Sequence, residues 1–172
     1  MNTKANIFFA ETLYPLIPQD KAPIIVAVNL KTSENIGNII RLAGNVGCRK
    51  VLAINEVEMP RISKIRRIAE VAGETVDWQF CSFDDVWKLI PDDYVPIALE
   101  TSQKSCNLFE YRFPEKVALF VGNEINGIVP SVLEKIDIHL HIPVTGKIKS
   151  INVSHATAIC LFEWVKQQMS LM

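Results

Sequence analysis

Three polar stretches in this sequence carry residue types able to do chemistry, and each follows a run of apolar residues. The first is Asn29-Leu30-Lys31-Thr32-Ser33-Glu34-Asn35-Ile36-Gly37-Asn38-Ile39-Ile40-Arg41, where helical spacing sets Arg41 above Gly37 and Asn38. A planar guanidinium binds a phosphate or carboxylate through two parallel hydrogen bonds. The same stretch also reads as a close-packing glycine beside a surface charge. The second, Gly122-Asn123-Glu124-Ile125-Asn126-Gly127, brings an amide and a carboxylate off a buried strand, with Gly122 leaving room for a ligand at the backbone. A turn leading into a capped helix describes it equally. In the third, Ser150, Asn152 and Ser154 cluster where the first N–H groups of a helix have no internal partner, which capping alone would also explain. Neither GxGxxG nor GxxxxGK[ST] occurs, which excludes the two commonest phosphate cradles.

Other reactive side chains point to less. His139 and His141 alternate and so share one strand face, but no third metal ligand accompanies them, and solvation at a strand edge is favoured. His155 reads as a packed interface histidine, and Phe162, Trp164 and Met169 as core or subunit contacts rather than a base-stacking platform. The four cysteines form no CxxC and have no histidine at ligand spacing, so free thiols are expected and no metal.

The elements that must position these residues alternate along the chain. Pro15, Pro18 and Pro23 bracket a loop after an N-terminal amphipathic helix. Ile24 to Val28 is β-branched, apolar and short, which predicts a buried strand. Ile36 to Ala43 repeats at helical spacing and Gly47 closes that helix; residues 51–54 form the next strand. Residues 61–71, 83–90, 130–136 and 152–168 read as helices, and 75–80, 94–99, 116–121 and 139–143 as strands. Continuously apolar strands alternating with helices predict a parallel sheet covered on both faces, with ligands bound beyond the carboxyl ends of the strands.

Composition narrows the function classes. Eighteen basic against nineteen acidic residues leave a net charge of −1, so a nucleic acid would have to meet a local basic patch. Candidates are Lys147 and Lys149 in the third stretch and the ridge Arg61, Lys64 and Arg67, whose neighbours Ile62, Ile65 and Ile68 are expected to face inward; a solvated helix face fits that ridge as well. No window approaches the ~20 apolar residues of a membrane span, and no signal peptide is evident, so a cytoplasmic protein of one domain, residues 1–172, is expected.

Taken together and in order, N-x-G-x-x-x-R from Asn35, G-N-E-x-x-G from Gly122 and I-P-x-x-G-x-x-x-S-I-N-V-S from Ile142 resemble the three signature motifs of the SpoU (TrmH-like) RNA 2′-O-ribose methyltransferases of the SPOUT class. The resemblance covers about residues 22–168. It implies an α/β parallel-sheet fold with a C-terminal trefoil knot, the knotted cofactor-binding part spanning about residues 95–168; the chain leaves no room for a separate RNA-binding domain, and none is expected. It also implies S-adenosyl-L-methionine as cofactor and a homodimer whose active sites use residues near the subunit boundary.

Residue by residue, the resemblance places Asn35, Arg41, Glu124, Ser150 and Asn152 in the catalytic set. Leu99, Thr101, Gly122, Asn123, Ile142, Ile151 and Asn152 would meet the cofactor, largely through backbone atoms. Departures are Asn126, Lys149, Ile151 and His155; none touches the proposed catalytic set, and Lys149 makes the third stretch more cationic. An arginine stays protonated in proteins, so Arg41 is expected to stabilise the incipient 2′-oxyanion and a phosphate, with Glu124 holding its fork. Bulkier relatives carry added RNA-binding domains, so a small structured substrate such as tRNA is favoured over rRNA. The alternatives are an RNA-binding SPOUT protein without catalysis and an unrelated dinucleotide-dependent oxidoreductase, the latter disfavoured by the lack of a Gly-rich first turn.

Overall fold

A computed structural model describes residues 4–11, 17–56 and 59–171 of the chain. Helix α1 (Ala5–Glu11) comes first, and Pro15 of the predicted loop lies outside the described residues. Strands β1 (Ile24–Val28), β2 (Lys50–Ile54), β3 (Trp78–Cys81), β4 (Val95–Leu99), β5 (Cys106–Asn107), β6 (Val117–Val121) and β7 (Ile138–His141) form one seven-stranded sheet in the order β3-β2-β1-β6-β4-β7-β5. Every pairing is parallel, as the unbroken apolar runs predict. After β3 the chain crosses to the far side of the sheet, and β6 later inserts between β1 and β4. That reversal makes the crevice between the ends of β1, β6 and β4 the natural ligand position.

Alternation along β1 feeds two cores. Ile25 and Ala27 face a layer with helices α2 (Ser33–Val46), α3 (Ile62–Ala69) and α7 (Val153–Met169); Ile24, Val26 and Val28 face one with α5 (Phe83–Leu89) and α6 (Pro130–Leu133). Helix α7 buries Thr157, Cys160, Leu161 and Trp164, and the Trp164 indole N–H donates to the Pro114 carbonyl at 3.1 Å. Its opposite face leaves His155, Ile159 and Phe162 exposed.

Several boundaries differ from expectation. Helix α2 starts at Ser33, because the Thr32 hydroxyl accepts the Asn35 N–H and caps it; Asn35 therefore sits in the first turn. Gly47 closes it in the left-handed conformation, φ 75°. The predicted helix 61–71 breaks at Glu70 (φ 53°), and α4 (Ala72–Thr75) is separate. Ile65 is buried, but Ile62 lies in the first turn of α3 and is exposed, and Ile68 packs on Gly37. Strand β5 was not foreseen.

Candidate active site

Loops 29–32, 100–105, 122–129 and 142–152 leave the ends of β1, β4, β6 and β7 on the same rim of the sheet. Three of them enclose a cavity of about 440 Å³ lined by Leu99, Glu100 and Thr101, by residues 121–125 and 127, and by residues 140–142, 144, 149–153 and 156. Leu99, Thr101, Gly122, Asn123, Ile142, Ile151 and Asn152 are all on that wall, as are Glu124, Ser150 and Lys149.

At one side of the cavity a hydrogen-bonded cluster joins the three motif stretches. The Glu124 carboxylate accepts the Asn35 amide at 2.5 Å and the Lys31 backbone N–H at 2.9 Å. The Asn152 amide donates to Asn35 Oδ1 at 3.1 Å. Asn152 Oδ1 meanwhile accepts the Ser154 backbone N–H and hydroxyl, so the residue also caps α7. Desolvation pushes the Glu124 carboxyl up, but the Lys31 N–H, the Asn35 amide and the backbone N–H groups of Glu124 and Thr32 outweigh it. The net effect holds the carboxyl below its usual range, as a fixed anion.

The Glu124 loop is closed on itself. Asn123 and Gly127 exchange backbone hydrogen bonds at 3.0 and 2.9 Å, and Asn123 Oδ1 accepts the N–H groups of Ile125 and Asn126. The Asn123 amide donates to the carbonyl of Asn29, itself at φ 51°, which ties this loop to the end of β1. Gly122 is needed for a different reason from the one its sequence suggests. A Cβ there would overlap the Gly127–Ile128 peptide, so the space beside it is filled by the chain's own backbone rather than left for a ligand.

Arg41 lies elsewhere. On α2 it falls on the exposed stripe with Glu34, Asn38 and Asn45, and it is not among the residues lining the cavity. Its guanidinium pairs with Glu70 at 2.6 Å, not with Glu124 as expected. The reason is helical phase: Asn35 is buried toward the sheet, and the six intervening steps of 100° turn Arg41 to the outer face. Lys64 pairs with Glu34 on the same surface, which commits part of the basic ridge, while Arg61 and Arg67 are exposed. In the third loop Lys149 gives one donor to the Val144 carbonyl at 2.9 Å, and Lys147 is exposed.

Both histidines of β7 have internal partners, whereas His155 is exposed. His139 is buried, between the Ser102 hydroxyl at 2.7 Å and the Ile136 carbonyl at 2.8 Å; His141 meets the Ser105 hydroxyl at 3.0 Å. Both clamp the loop after β4, whose short polar side chains give the rings partners. Among the described residues no group of three His, Cys, Asp or Glu side chains is placed to hold a metal ion, and no helix is long and apolar enough to cross a membrane. All four cysteines are free thiols, and burial pushes Cys81 up to about 11.

Sequence reasoning missed Glu100, Asn29 and Glu70. Glu100 accepts two backbone N–H groups, and Asn29 accepts the Asn123 amide through its own backbone carbonyl, contacts for which sequence carries no signal. Glu70 is placed by the break after α3.

The chain is 26% identical over 151 residues to a tRNA (guanosine(18)-2′-O)-methyltransferase of Saccharomyces cerevisiae, covering 85% of this chain and 10% of that protein. It is 26% identical over 168 residues to the 23S rRNA (guanosine-2′-O-)-methyltransferase RlmB of Shewanella oneidensis, covering 96% of this chain and 68% of that one. The chain thus spans only a tenth of the yeast relative and about two thirds of the bacterial one. A solved structure described as giving insights into 2-OH methylation of C/U34 on tRNA superposes with a TM-score of 0.76 at 25% identity, over 87% of this chain and 97% of that one. Residues 22–162, most of the sequence and all three motif stretches, match the SpoU rRNA Methylase family, and the chain belongs to that family.

Proposed function

We propose that this chain is an S-adenosyl-L-methionine-dependent RNA 2′-O-ribose methyltransferase acting on tRNA in the cytoplasm, as a homodimer. The observation that carries the reading is the Asn35–Glu124–Asn152 cluster beside a cavity built by the strand-end loops. The cavity fits the cofactor: its volume lies within the ~300–1,000 Å³ of small-molecule sites, and its wall mixes apolar Leu99, Val121, Leu140 and Ile142 with backbone and polar groups. The bound cofactor supplies a methyl group on a cationic sulfur. RNA rather than DNA follows from the reaction, since only RNA presents a 2′-hydroxyl.

In this mechanism Leu99, Thr101, Gly122, Asn123, Ile142 and Ile151 bind and orient, and their loops exclude water from the reacting centre. Glu124 stays anionic and fixes Asn35, whose position also depends on Asn152. Ser150 offers a hydroxyl at the cavity wall to orient the substrate. Arg41 supplies the cation for the developing oxyanion and a neighbouring phosphate. Because it lies outside its own chain's cavity, we assign it to the site of a second copy. The exposed Ile159 and Phe162 of α7 offer an apolar face for that copy. Arg61, Lys64, Arg67, Lys147 and Lys149 are proposed to meet RNA phosphates, Lys64 after exchanging Glu34 for phosphate. A trefoil knot over about residues 95–168 and a single domain over residues 1–172 complete the reading.

The test is transfer of labelled methyl groups from S-adenosyl-L-methionine to bulk tRNA and, separately, rRNA, with ribose methylation scored by resistance of the modified linkage to alkali. Label in tRNA is expected. Absence of transfer to either RNA overturns the reading and favours an RNA-binding protein without catalysis, the second reading that Arg41's place outside the cavity leaves in view.

A further inference from the structure

Glu100 is an acidic residue on the cavity wall to which neither the motifs nor the proposed chemistry gives a task. It follows directly on β4, where its backbone N–H donates to the Leu140 carbonyl at 2.9 Å. One carboxylate oxygen accepts the Ile128 backbone N–H at 2.8 Å, and the other accepts the Thr101 backbone N–H at 3.0 Å. Its two ends of attachment are thus the rim 99–101 and the loop 122–128, which share no strand pairing beyond their parent strands.

The packing around it is tight and directional. The Gly127–Ile128 peptide lies between Gly122 on one side and the Glu100 carboxylate on the other. A Cβ at Gly122 would overlap that peptide, and a Cβ at Gly127 (φ 67°) would overlap the carboxylate. Both glycines of the second motif are therefore used to let this peptide be clamped from two sides. An ionised carboxylate suits the place because both of its neighbours are donors and it is acceptor-only.

We propose that Glu100 is a positioning residue of the cofactor pocket, locking the 122–128 loop to the 99–101 rim through the Ile128 and Thr101 N–H groups. The inference rests on the cofactor reading above for its consequence, but the tie itself is a property of the ligand-free chain. With the tie in place, the two walls of the cavity form one preorganised surface, so binding does not have to order them.

Glu100→Gln tests this, because it keeps the size of the side chain but turns an N–H₂ donor toward one of the two N–H groups. Calorimetry with S-adenosyl-L-methionine and with its neutral demethylated product, S-adenosylhomocysteine, is expected to show both affinities falling by about tenfold or more, and to the same degree. Amide hydrogen exchange on the ligand-free variant should show Ile128 losing protection while β1 and β6 stay protected. Unchanged affinities, or unchanged Ile128 exchange, overturn the proposal. A loss confined to the cationic ligand also overturns it, since Glu100 would then act as a counter-charge. If the unmodified protein binds neither ligand, the cofactor reading fails, and the Ile128 exchange still decides whether Glu100 ties the loop.

Discussion

Glu124 shows how a single side chain can be held ready by neighbours that do no chemistry. Its carboxyl is pushed up by desolvation, yet the donors from Lys31, Asn35 and Thr32 bring it below the ordinary value. A depressed carboxylate stabilises the folded protein fully above its unfolded pKa, ~4.3, and that contribution is lost as pH falls through the lower folded value. Thermal unfolding followed from pH 7 downward should therefore separate the unmodified protein from Glu124→Gln above ~4.3 and bring the two together as pH falls on through the lower folded value. Parallel curves across the whole range would mean that the carboxylate is not held in this way. Asn35 is the complementary case: its amide spends both ends within the site, donating to Glu124 and accepting from Asn152. Asn35→Asp would face Glu124 with a second carboxylate and lose the donor that joins the two, while an aspartate oxygen would still accept from Asn152.

At the scale of elements, the close approach of α2 and α3 depends on one missing side chain. A Cβ at Gly37 would stand 2.7 Å from Ile68 Cβ and 3.0 Å from the Ile65 carbonyl oxygen, neither of which can swing away. Gly37→Ala should cost about 1–3 kcal/mol from overpacking, offset by less than about 1 kcal/mol of helix propensity, so chemical denaturation should show a net loss. A gain in stability would mean that α3 moves freely. Strands β1, β2 and β6 were legible because each is a nearly continuous apolar run, and the glycine of the first motif had close packing among its two readings. The motif residues that gather at the cavity were legible only as a resemblance. The rest depended on events with no local pattern. The break at Glu70 needs a positive φ in a non-glycine residue. Strand β5 is two residues long and pairs only with β7. The filling of the space beside Gly122 depends on where a loop five residues later returns.

For the whole molecule, the role proposed for Arg41 has to be squared with its place outside its own chain's cavity. Were the guanidinium merely a surface charge paired with Glu70, both partners being about half exposed, the pair would contribute little, and Arg41→Ala would leave methyl transfer intact. If it serves the site of a second copy, its loss should lower the rate by roughly 10²–10³, the worth of one oxyanion donor, while cofactor binding stays normal. A mixed dimer distinguishes the two arrangements by symmetry. When Arg41→Ala and Glu124→Gln chains are unfolded, combined in equal amounts and refolded, about half of the dimers carry one of each. With Arg41 acting across the boundary, both lesions fall in one site and the other is intact, so about a quarter of full activity returns. With Arg41 acting within its own chain, each site carries one lesion and nothing returns. The apolar face of α7 sets the condition for this experiment: Phe162→Glu, which places a charge among Ile159 and His155, should yield monomers by light scattering and abolish the recovery. Full methyl transfer by Phe162→Glu monomers that keep both Arg41 and Glu124 would remove the second copy from the mechanism and return Arg41 to its own chain.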